Sequence, residues 1–338
     1  DRTIESRGIQ SPRCNASLST SRALAEAVGD SSRLLLAPDG MLNLLPFDCL
    51  QPIGKQAMIE THQLSYLSSG RRLVDAKEAV TASANRNVIV VAAPDYGTQS
   101  EDPSERPAGR FDGLEWTPLP GTDSEAQAIM AMMKGASLLT GKAASESALE
   151  AVRAPHILHL ATHGFFLGSQ TGGIDSASRG LTITGIEPKG ELVEALEQME
   201  NPLLLSGLVL AGANRQGTEQ DDGYMTALEM SGLDLQGTEL VVMSACETGI
   251  GTVTAGAGVF GLRRAVALAG AKSQVMSLWK VSDDATTELM RVFYQGLTSG
   301  LSRTDALRKA QRSLSATDKW NHPYFWSAFI LSGDWREL

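Results

Sequence analysis

The chain has 338 residues, a formal net charge of −10 and a pI near 5.1, and 42% of its residues are hydrophobic. This length predicts one large domain or two of ordinary size with a sizeable core. The acidic balance and the lack of Lys/Arg clusters argue against a nucleic-acid-binding face, and no apolar stretch is long enough to cross a bilayer.

The first part of the chain predicts a tail followed by a small α/β segment. Residues 1–30 are polar and Ser-rich, with one helical piece at Ser21–Val28. Because the chain begins with Asp1, we interpret it as a fragment of a longer protein. Short apolar runs then predict strands, and these runs are Arg33–Ala37 with its continuation Leu42–Leu50, Gln63–Leu67 and Asn87–Ala93.

A polar, Pro/Gly-rich stretch from Gly97 to Glu115 predicts a boundary between two parts of the chain. This boundary divides the chain into a tail or linker at residues 1–30, an N-terminal subdomain at residues 31–115 and a second subdomain at residues 116–338.

Strands and helices alternate throughout the second subdomain. Thr122 and Glu125 have the spacing of a capping box, which predicts a helix that runs to Met133. Glu239–Ala245 is a nearly continuous apolar run, as expected of a parallel strand covered on both faces. The other predicted strands are Ala136–Leu139, His156–Ala161, Leu203–Ala211, Gln274–Trp279 and Tyr324–Leu331, and the other helices are Ser145–Arg153, Thr226–Met230, Val259–Ala269, Ala285–Leu297 and Arg303–Leu314. The fold class is therefore α/β, with a mostly parallel sheet flanked by helices.

Two reactive side chains follow the ends of apolar strands. His163 comes just after one predicted strand and is followed by Gly164, and Cys246 comes just after another. Functional residues of open parallel sheets gather beyond the carboxyl ends of strands, and neighbouring strands lie about 4.8 Å apart. If the two strands are neighbours, His163 and Cys246 can therefore come within reach of each other.

A thiol whose pKa is near 8.5 becomes a strong nucleophile at neutral pH only with a base beside it. The pair therefore predicts a Cys246 nucleophile and a His163 general base. The N–H groups of Gly164 and Cys246 are candidates for an oxyanion hole. A lone Cys or His at a strand end is more often a packed or surface residue, so the paired placement is what favours catalysis.

The other cysteines and glycines do not predict a second chemistry. Cys49 lies among apolar residues and is interpreted as a buried, inert thiol. Three cysteines are too few for a disulfide framework, which predicts a reducing, cytoplasmic location. No Cys/His group has the spacing of a zinc site, so neither a metal nor a cofactor is expected. Gly256–Gly261 spells G-x-G-x-x-G, but it begins too far beyond the preceding strand to be a dinucleotide motif.

Several motifs together resemble the CHAT domain, a caspase-like cysteine peptidase family related to separase. They are HLATHG, SACETGIG, SLWKVSDDAT, LPGTDSEA, HPYFWSAFILSGD and the earlier PDGMLNLLPFDCL. The resemblance covers about residues 33–335. It implies a caspase-like sheet, an N-terminal non-catalytic α/β subdomain beside the catalytic one, His163 as the general base and Cys246 as the nucleophile. It also implies a bacterial protein, often with a regulatory or defence role.

The resemblance also implies where a substrate would bind. In separase a run similar to Trp279–Asp283 contributes an acid that receives arginine, and Asp283 occupies that place here. Alternatively, Asp283 and its neighbour Asp284 cap the following helix. Glu247 and Asp175 are further acids that can contribute to substrate binding.

Two polar stretches, Gly168–Gly190 and Asn214–Gly223, read as loops. They are either ordinary surface loops or, as in related peptidases, sites of self-cleavage.

The sequence thus predicts a cysteine endopeptidase acting on protein substrates. Its expected partner is a regulatory protein or a helical-repeat region of the same polypeptide, since CHAT domains often follow such repeats. The alternative is a catalytically silent caspase-like interaction module in a larger assembly.

Overall fold

The computed structural model describes residues 28, 31–51, 56–71, 73, 86–98, 114–166, 202–215, 221–244, 253–254, 258–259, 261–279 and 281–338. Its strands are β1 Arg33–Leu36, β2 Gln63–Tyr66, β3 Val88–Pro94, β4 Ser137–Gly141, β5 Ile157–Ala161, β6 Gly164–Phe166, β7 Ser206–Val209, β8 Tyr224–Thr226, β9 Leu240–Met243, β10 Val253–Thr254, β11 Gly258–Val259, β12 Ser273–Ser277 and β13 Phe329–Gly333. Its α-helices are α1 Met58–Thr61, α2 Pro120–Met132, α3 Glu146–Glu150, α4 Ala227–Met230, α5 Leu262–Leu268, α6 Asp283–Thr298, α7 Arg303–Ser315 and α8 Pro323–Trp326.

Eight of the described strands form one central sheet in the order β1-β2-β13-β12-β9-β5-β3-β4. Neighbours in this order run parallel, except for the antiparallel pair β12 and β13. The sheet therefore has a parallel part, β12-β9-β5-β3-β4, whose carboxyl ends share one edge. This confirms the predicted α/β class with a mostly parallel sheet.

Strand β9 shows why the apolar run at residues 240–243 predicts a strand that is covered on both faces. Val241 and Met243 pack into one hydrophobic cluster with α3, α4 and α5. Leu240 and Val242 pack into another cluster with α2, α6 and α7. Successive side chains of a strand point to opposite faces, so a strand between two helical layers needs apolar residues at every position.

Two predicted boundaries are wrong for identifiable reasons. Helix α2 begins at Pro120 with Leu119 as its N-cap, so Thr122 and Glu125 do not form a capping box. Proline suits the first helical position because its fixed φ is helical and its missing N–H is not needed there. The last predicted strand begins instead as helix α8, and β13 starts only at Phe329. By contrast, Ser145 is the N-cap of α3 as predicted, and its hydroxyl accepts a hydrogen bond from Ala148 N at 3.3 Å.

A second, antiparallel sheet of three strands has the order β6-β7-β8, and two residues separate the end of β5 from its first strand. The predicted strand Leu203–Ala211 thus becomes β7 of this small sheet, preceded by a 3₁₀ turn at Pro202–Leu205. Beside it, β3 ends at a register shift where Ala93 has a φ of 46°, an uncommon conformation for a residue with a side chain. Tyr96 follows this irregular exit and belongs to the same hydrophobic cluster as Phe165 of β6.

Cys49 is buried and takes part in a disulfide bond. The expectation of an inert thiol was therefore wrong, because apolar surroundings can hide a disulfide as well as a thiol. The chain has only two other cysteines, Cys14 and Cys246, and both lie outside the described residues. The bond removes the argument that the cysteine pattern indicates a reducing location.

Candidate active site

His163 lies at the carboxyl edge of the parallel strands, between β5 and β6. Its Nε2 is 2.8 Å from the carbonyl oxygen of Thr117. A carbonyl can only accept a hydrogen bond, so Nε2 must carry the proton. In the neutral imidazole the lone pair is then on Nδ1, which is the atom able to take a proton from a nucleophile.

Two aromatic rings flank the imidazole of His163. The centre of the Tyr96 ring is 5.4 Å away, and that of the Trp116 ring is 5.1 Å away. Each ring is held by a polar anchor: the Tyr96 hydroxyl lies 2.9 Å from Thr162 Oγ1, and Trp116 Nε1 donates to the Tyr224 hydroxyl at 2.9 Å. The imidazole therefore sits in a narrow slot that restricts rotation of its ring.

Gly164 is placed so that its backbone N–H is not consumed by the small sheet. It lies opposite Leu208 of β7, and Val209 N donates to the His163 carbonyl at 2.9 Å. In an antiparallel ladder this makes Gly164 and Leu208 a non-hydrogen-bonded pair, so the N–H of Gly164 points away from β7. The N–H of Gly164 is therefore not bonded to β7, and an oxyanion-hole donor must be unbonded in this way.

The other half of the predicted dyad, Cys246, lies outside the described residues, as do Glu247 and Asp175. The last described residue of that segment is Ser244, whose N–H donates to the Leu160 carbonyl at 3.1 Å. Strands β5 and β9 are neighbours, and Leu160 is in register with Met243. The strand adjacency that the dyad requires is therefore present.

Asp283 belongs to the first turn of α6 and lines a small cavity at this same edge. The cavity has a volume of about 10 Å³, room for at most one water molecule. It lies between the beginnings of α2 and α6 and the ends of β5 and β9, and its lining residues are Leu119, Gly121, Thr122, Glu125, Thr162, Ser244, Asp283 and Thr286. Asp283 thus lines this cavity together with Thr162, which precedes His163, and Ser244, which lies two residues before Cys246.

The alternative role for Asp283 and Asp284, as caps of α6, is correct only in that both lie in its first turn; neither is the N-cap. The N-cap is Ser282, whose hydroxyl accepts from Ala285 N at 3.4 Å, and the two acids occupy the first helical turn. Asp284 is 75% exposed and forms an ion pair with Lys319 at 3.2 Å. Asp283 is half-buried, so the two neighbouring carboxylates have different surroundings.

Trp279 is not among the residues that line this cavity. Its Nε1 donates to the Tyr324 carbonyl at 2.9 Å, and its ring lies 6.4 Å from the Tyr324 ring. In this structure Trp279 packs against the core, and its predicted role in substrate binding stays a prediction.

A buried polar group lies beneath the cavity. His159 of β5 is fully buried, with Nε2 2.9 Å from Glu125 Oε1 and Nδ1 3.0 Å from the Tyr294 hydroxyl. Burial, with a smaller contribution from the charge of Glu125, raises the pKa of Tyr294 well above its usual value. These contacts place His159 in the packing between the sheet and helices α2 and α6.

Of the two predicted loops, the stretch Gly168–Gly190 lies entirely outside the described residues, and so do residues 216–220 of the other. Of the stretch Asn214–Gly223, both ends are fixed: Asn214 is buried, and Gly223 N donates to Glu146 Oε1 at 2.6 Å. Self-cleavage stays a prediction for both stretches.

Sequence reasoning did not identify Tyr96, Trp116, Thr117, Asn214 or Tyr224 as parts of the site. Tyr96 offered a weak signal, since it follows an apolar strand as the dyad residues do. Thr117 offered none, because its backbone carbonyl forms the contact, and every residue type supplies the same group.

Within the ranges that the structure describes, no group of three or more His, Cys, Asp or Glu residues could hold a metal ion. In those same ranges no helix is long and apolar enough to cross a membrane.

Comparison with known proteins supports the fold. The family model for the CHAT domain matches residues 10–334. Human tetratricopeptide repeat protein 28 is 24% identical over 321 residues, which cover 90% of this chain and 12% of that protein. Its mouse counterpart is 25% identical over 233 residues, which cover 67% of this chain and 9% of that protein. The chain thus spans only a small part of the length of the curated relatives that it matches.

Among solved structures, the chain is similar to the Arg-specific cysteine proteinase gingipain R of Porphyromonas gingivalis, with 8% identity and a TM-score of 0.50. The match covers 95% of this chain and 67% of the gingipain chain. A Saccharomyces cerevisiae separase–securin complex matches with 11% identity and a TM-score of 0.48, over 88% of this chain and 15% of that chain. The caspase-like α/β fold predicted from the sequence is confirmed.

Proposed function

Because the chain belongs to the CHAT domain family, we propose that it is a cysteine endopeptidase in which Cys246 is the nucleophile and His163 the general base. The observation that carries this proposal is the hydrogen bond from His163 Nε2 to the Thr117 carbonyl, which leaves Nδ1 as the basic atom. The register of β5 and β9 supports the partner, since Cys246 follows Met243 by three residues just as His163 follows Leu160.

The proposed reaction is acyl transfer through a thioester. Nδ1 of His163 takes the thiol proton, and the thiolate attacks the carbonyl carbon of the scissile peptide bond. The oxyanion accepts hydrogen bonds from the N–H groups of Gly164 and Cys246. The imidazolium then gives its proton to the leaving amine, and a water molecule, deprotonated by His163, hydrolyses the thioester and restores the thiol.

We further propose that the residue before the scissile bond is basic and that Asp283 binds it. Asp283 faces the cavity that Thr162 and Ser244 also line, so its carboxylate is close to both strand ends. A carboxylate and a guanidinium form a charge-assisted, bidentate contact. Glu247 and Asp175 are further candidate acids for the same subsite. The cavity as it stands is too small for an arginine side chain, so the proposal requires α2 and α6 to separate slightly at their first turns.

Regulation by another protein segment is part of the same proposal. The match to tetratricopeptide repeat protein 28 makes a helical-repeat region of the same polypeptide the expected partner, with a separate regulatory protein as the other form of control. The bacterial source implied by the family resemblance also belongs to this proposal, although the two curated relatives described above are human and mouse proteins. The cytoplasmic location is not proposed again, because the disulfide bond of Cys49 removes the argument for it.

The decisive experiment compares the natural full-length protein with its Cys246→Ala and His163→Ala variants on fluorogenic peptides and candidate protein substrates. Each variant is expected to lose activity by about 10³-fold or more, because the two groups act as a unit. His62→Ala, at a histidine whose ring contacts Thr61 at the surface, serves as the matched control. Full activity in both dyad variants would exclude the peptidase.

A thiol-reactive peptide distinguishes the enzyme from the silent interaction module. Labelling of Cys246 that appears only after the partner is added identifies a gated peptidase. Absence of labelling and of cleavage under every condition that engages the partner supports the interaction module.

Specificity is tested by the neighbouring pair Asp283→Asn and Asp284→Asn. The first substitution should lower kcat/KM for an Arg peptide by about 10²-fold, while a peptide with leucine at that position changes little, because one ion pair of this kind contributes about 2–3 kcal/mol. Asp284→Asn removes a carboxylate that is exposed and directed to Lys319, so it should change neither peptide. Equal or faster cleavage of the leucine peptide by the unaltered protein would end the proposal of a basic preference.

A further inference from the structure

We propose that Asn214 is a positioning residue for the general base: it fixes the segment Leu114–Leu119 so that the Thr117 carbonyl orients the imidazole of His163. This inference rests on the proposed function, because it assigns His163 the role of base. It adds a residue that touches neither the substrate nor the reacting atoms.

The segment that carries the orienting carbonyl has no regular structure of its own. Residues 114–119 belong to neither a helix nor a strand, and Glu115, Thr117 and Pro118 are exposed. A strand or helix fixes its carbonyls through a ladder of backbone hydrogen bonds, and residues 114–119 belong to no such element of the described structure. Another part of the molecule must therefore set the position of the Thr117 oxygen.

Asn214 supplies that constraint with every polar atom of its side chain. Its Oδ1 accepts from Trp116 N at 2.8 Å, and its Nδ2 donates to the Trp116 carbonyl at 2.8 Å and to the Gly97 carbonyl at 3.0 Å. The side chain thus satisfies both backbone groups of Trp116, as a neighbouring strand would. Asn214 is 7% exposed, and its own N–H donates to the Tyr96 carbonyl at 2.9 Å, so the amide cannot easily shift.

Trp116 transmits this constraint to the imidazole. Thr117 is the next residue in the chain, so fixing both backbone groups of Trp116 limits where the Thr117 carbonyl can lie. The Trp116 ring also lies 5.1 Å from the His163 ring, and its Nε1 is bound to the Tyr224 hydroxyl. Asn214 therefore acts on His163 through two routes that share one residue. A misplacement of about 1 Å in a catalytic group can cost about 10²-fold in rate.

A purely structural role is the competing explanation, since a buried amide that satisfies three backbone groups also stabilises the fold. The chain offers a matched control in Asn43, which is 4% exposed and also forms three side-chain hydrogen bonds. Its Nδ2 donates to the Pro38 and Gly40 carbonyls, and its Oδ1 accepts from Arg263 Nη1 at 3.0 Å. Asn43 lines a cleft with the beginning of β12 and the end of β13, at the edge of the sheet away from His163.

The kinetic test compares Asn214→Ala, Asn214→Asp and Asn43→Ala in the full protein, at a temperature where circular dichroism shows each variant folded. Asn214→Ala should lower kcat by about 10- to 100-fold with KM within about threefold. Asn214→Asp is nearly isosteric but sets a carboxylate oxygen against two carbonyls, so its loss in kcat should be at least as large. Asn43→Ala should leave kcat within about twofold. An unchanged kcat in both Asn214 variants, or an equal loss in Asn43→Ala, would overturn the proposal.

A second readout does not depend on catalysis. The chain has five histidines, so protein labelled with ¹⁵N only at histidine gives a simple spectrum in which His163→Gln assigns the resonance of interest. The unaltered protein should show His163 in the tautomer with the proton on Nε2. Asn214→Ala should populate both tautomers, and Asn43→Ala should match the unaltered protein.

The kinetic and NMR readouts together distinguish a failure of the Asn214 proposal from a failure of the proposed peptidase function. If the tautomer changes in Asn214→Ala but no form of the protein cleaves a peptide, the positioning is correct and the proposed peptidase is wrong. If peptides are cleaved and Asn214→Ala keeps both the single tautomer and the original kcat, the peptidase stands and the positioning role of Asn214 is wrong.

Discussion

Replacing Glu146 with glutamine should make the protein more stable at pH 8 while leaving its stability at pH 5 nearly unchanged. Glu146 lies in the first turn of α3, and its Oε1 accepts a hydrogen bond from Gly223 N at 2.6 Å. Burial raises its pKa from 4.5 to about 8, and the nearby carboxylates of Asp222, Glu229 and Asp221 act in the same direction, against the hydrogen bond from Gly223.

The sign follows from proton binding. Between pH 4.5 and pH 8 the folded protein holds a proton on Glu146 that the unfolded chain has released, so the free energy of unfolding falls as the pH rises. The interval from 4.5 to about 8 corresponds to an upper limit of about 5 kcal/mol. Solvent reaches part of the site and screens part of the charge on Glu146. We therefore expect the free energy of unfolding to fall by about 2–4 kcal/mol between pH 5 and pH 8.

Glutamine keeps the acceptor for Gly223 but cannot ionise, so this part of the decline should disappear in Glu146→Gln. Urea unfolding at pH 5, 6, 7 and 8 measures the difference directly. Burial also raises the pKa of Asp48, to about 7, so its ionisation lowers the free energy of unfolding as the pH rises. A smaller decline in stability should therefore persist in Glu146→Gln. If the free energy of unfolding falls by the same amount in both proteins from pH 5 to pH 8, Glu146 is not protonated in the folded protein over this range and the prediction is wrong.

Three further predictions concern packing and pairing around the site. Gly121→Ala should reduce stability by about 1–3 kcal/mol and lower kcat/KM for Arg peptides, because the new Cβ would lie 2.5 Å from Asp283 Cβ; Gly70→Ala, where nothing lies within 4 Å, is the control in the same unfolding and kinetic assays. Tyr294→Phe should cost about 1–3 kcal/mol in thermal unfolding with little change in kcat, since it leaves His159 Nδ1 buried without its 3.0 Å partner. Peptide mapping under non-reducing conditions should find Cys49 joined to Cys14, because the proposed mechanism needs a free Cys246; a Cys49–Cys246 peptide would rule that mechanism out in the oxidised protein.

The parts of the fold that the sequence predicts are those with a repeating hydrophobic pattern. The run at β9 is apolar at every position because both sheet faces are covered, and α6 and α7 begin and end within two residues of their predicted bounds. The predicted capping box at Thr122 is wrong because Pro120, a strongly favoured residue at the first helical position, starts the helix two residues earlier. Glu125 was thereby free to turn into the core, 2.9 Å from His159, which no spacing rule would have indicated.

In the candidate site, the sequence indicates reactive side chains and does not indicate the backbone atoms around them. His163 and Asp283 are candidates from the sequence because a reactive side chain beyond an apolar strand, or in a family motif, is visible there. The atoms that give His163 its direction are mostly backbone atoms, and backbone atoms are the same at almost every position. Only the described structure shows that the Thr117 carbonyl accepts a hydrogen bond from Nε2 and that the register of β6 and β7 leaves the N–H of Gly164 unbonded to β7.

The same reasoning explains why the sequence does not indicate a positioning role for Asn214. It lies in a stretch that composition assigns to a polar loop, and a polar residue in a loop is ordinarily exposed. Here the amide of Asn214, in the 3₁₀ turn at Ala213–Arg215, is buried and hydrogen-bonds both backbone groups of Trp116. A side chain whose partners are all backbone groups of distant segments leaves no pattern in its own neighbourhood. Residues that position a catalytic group through the backbone are therefore recognised from the hydrogen-bond network, and the catalytic groups themselves from the sequence.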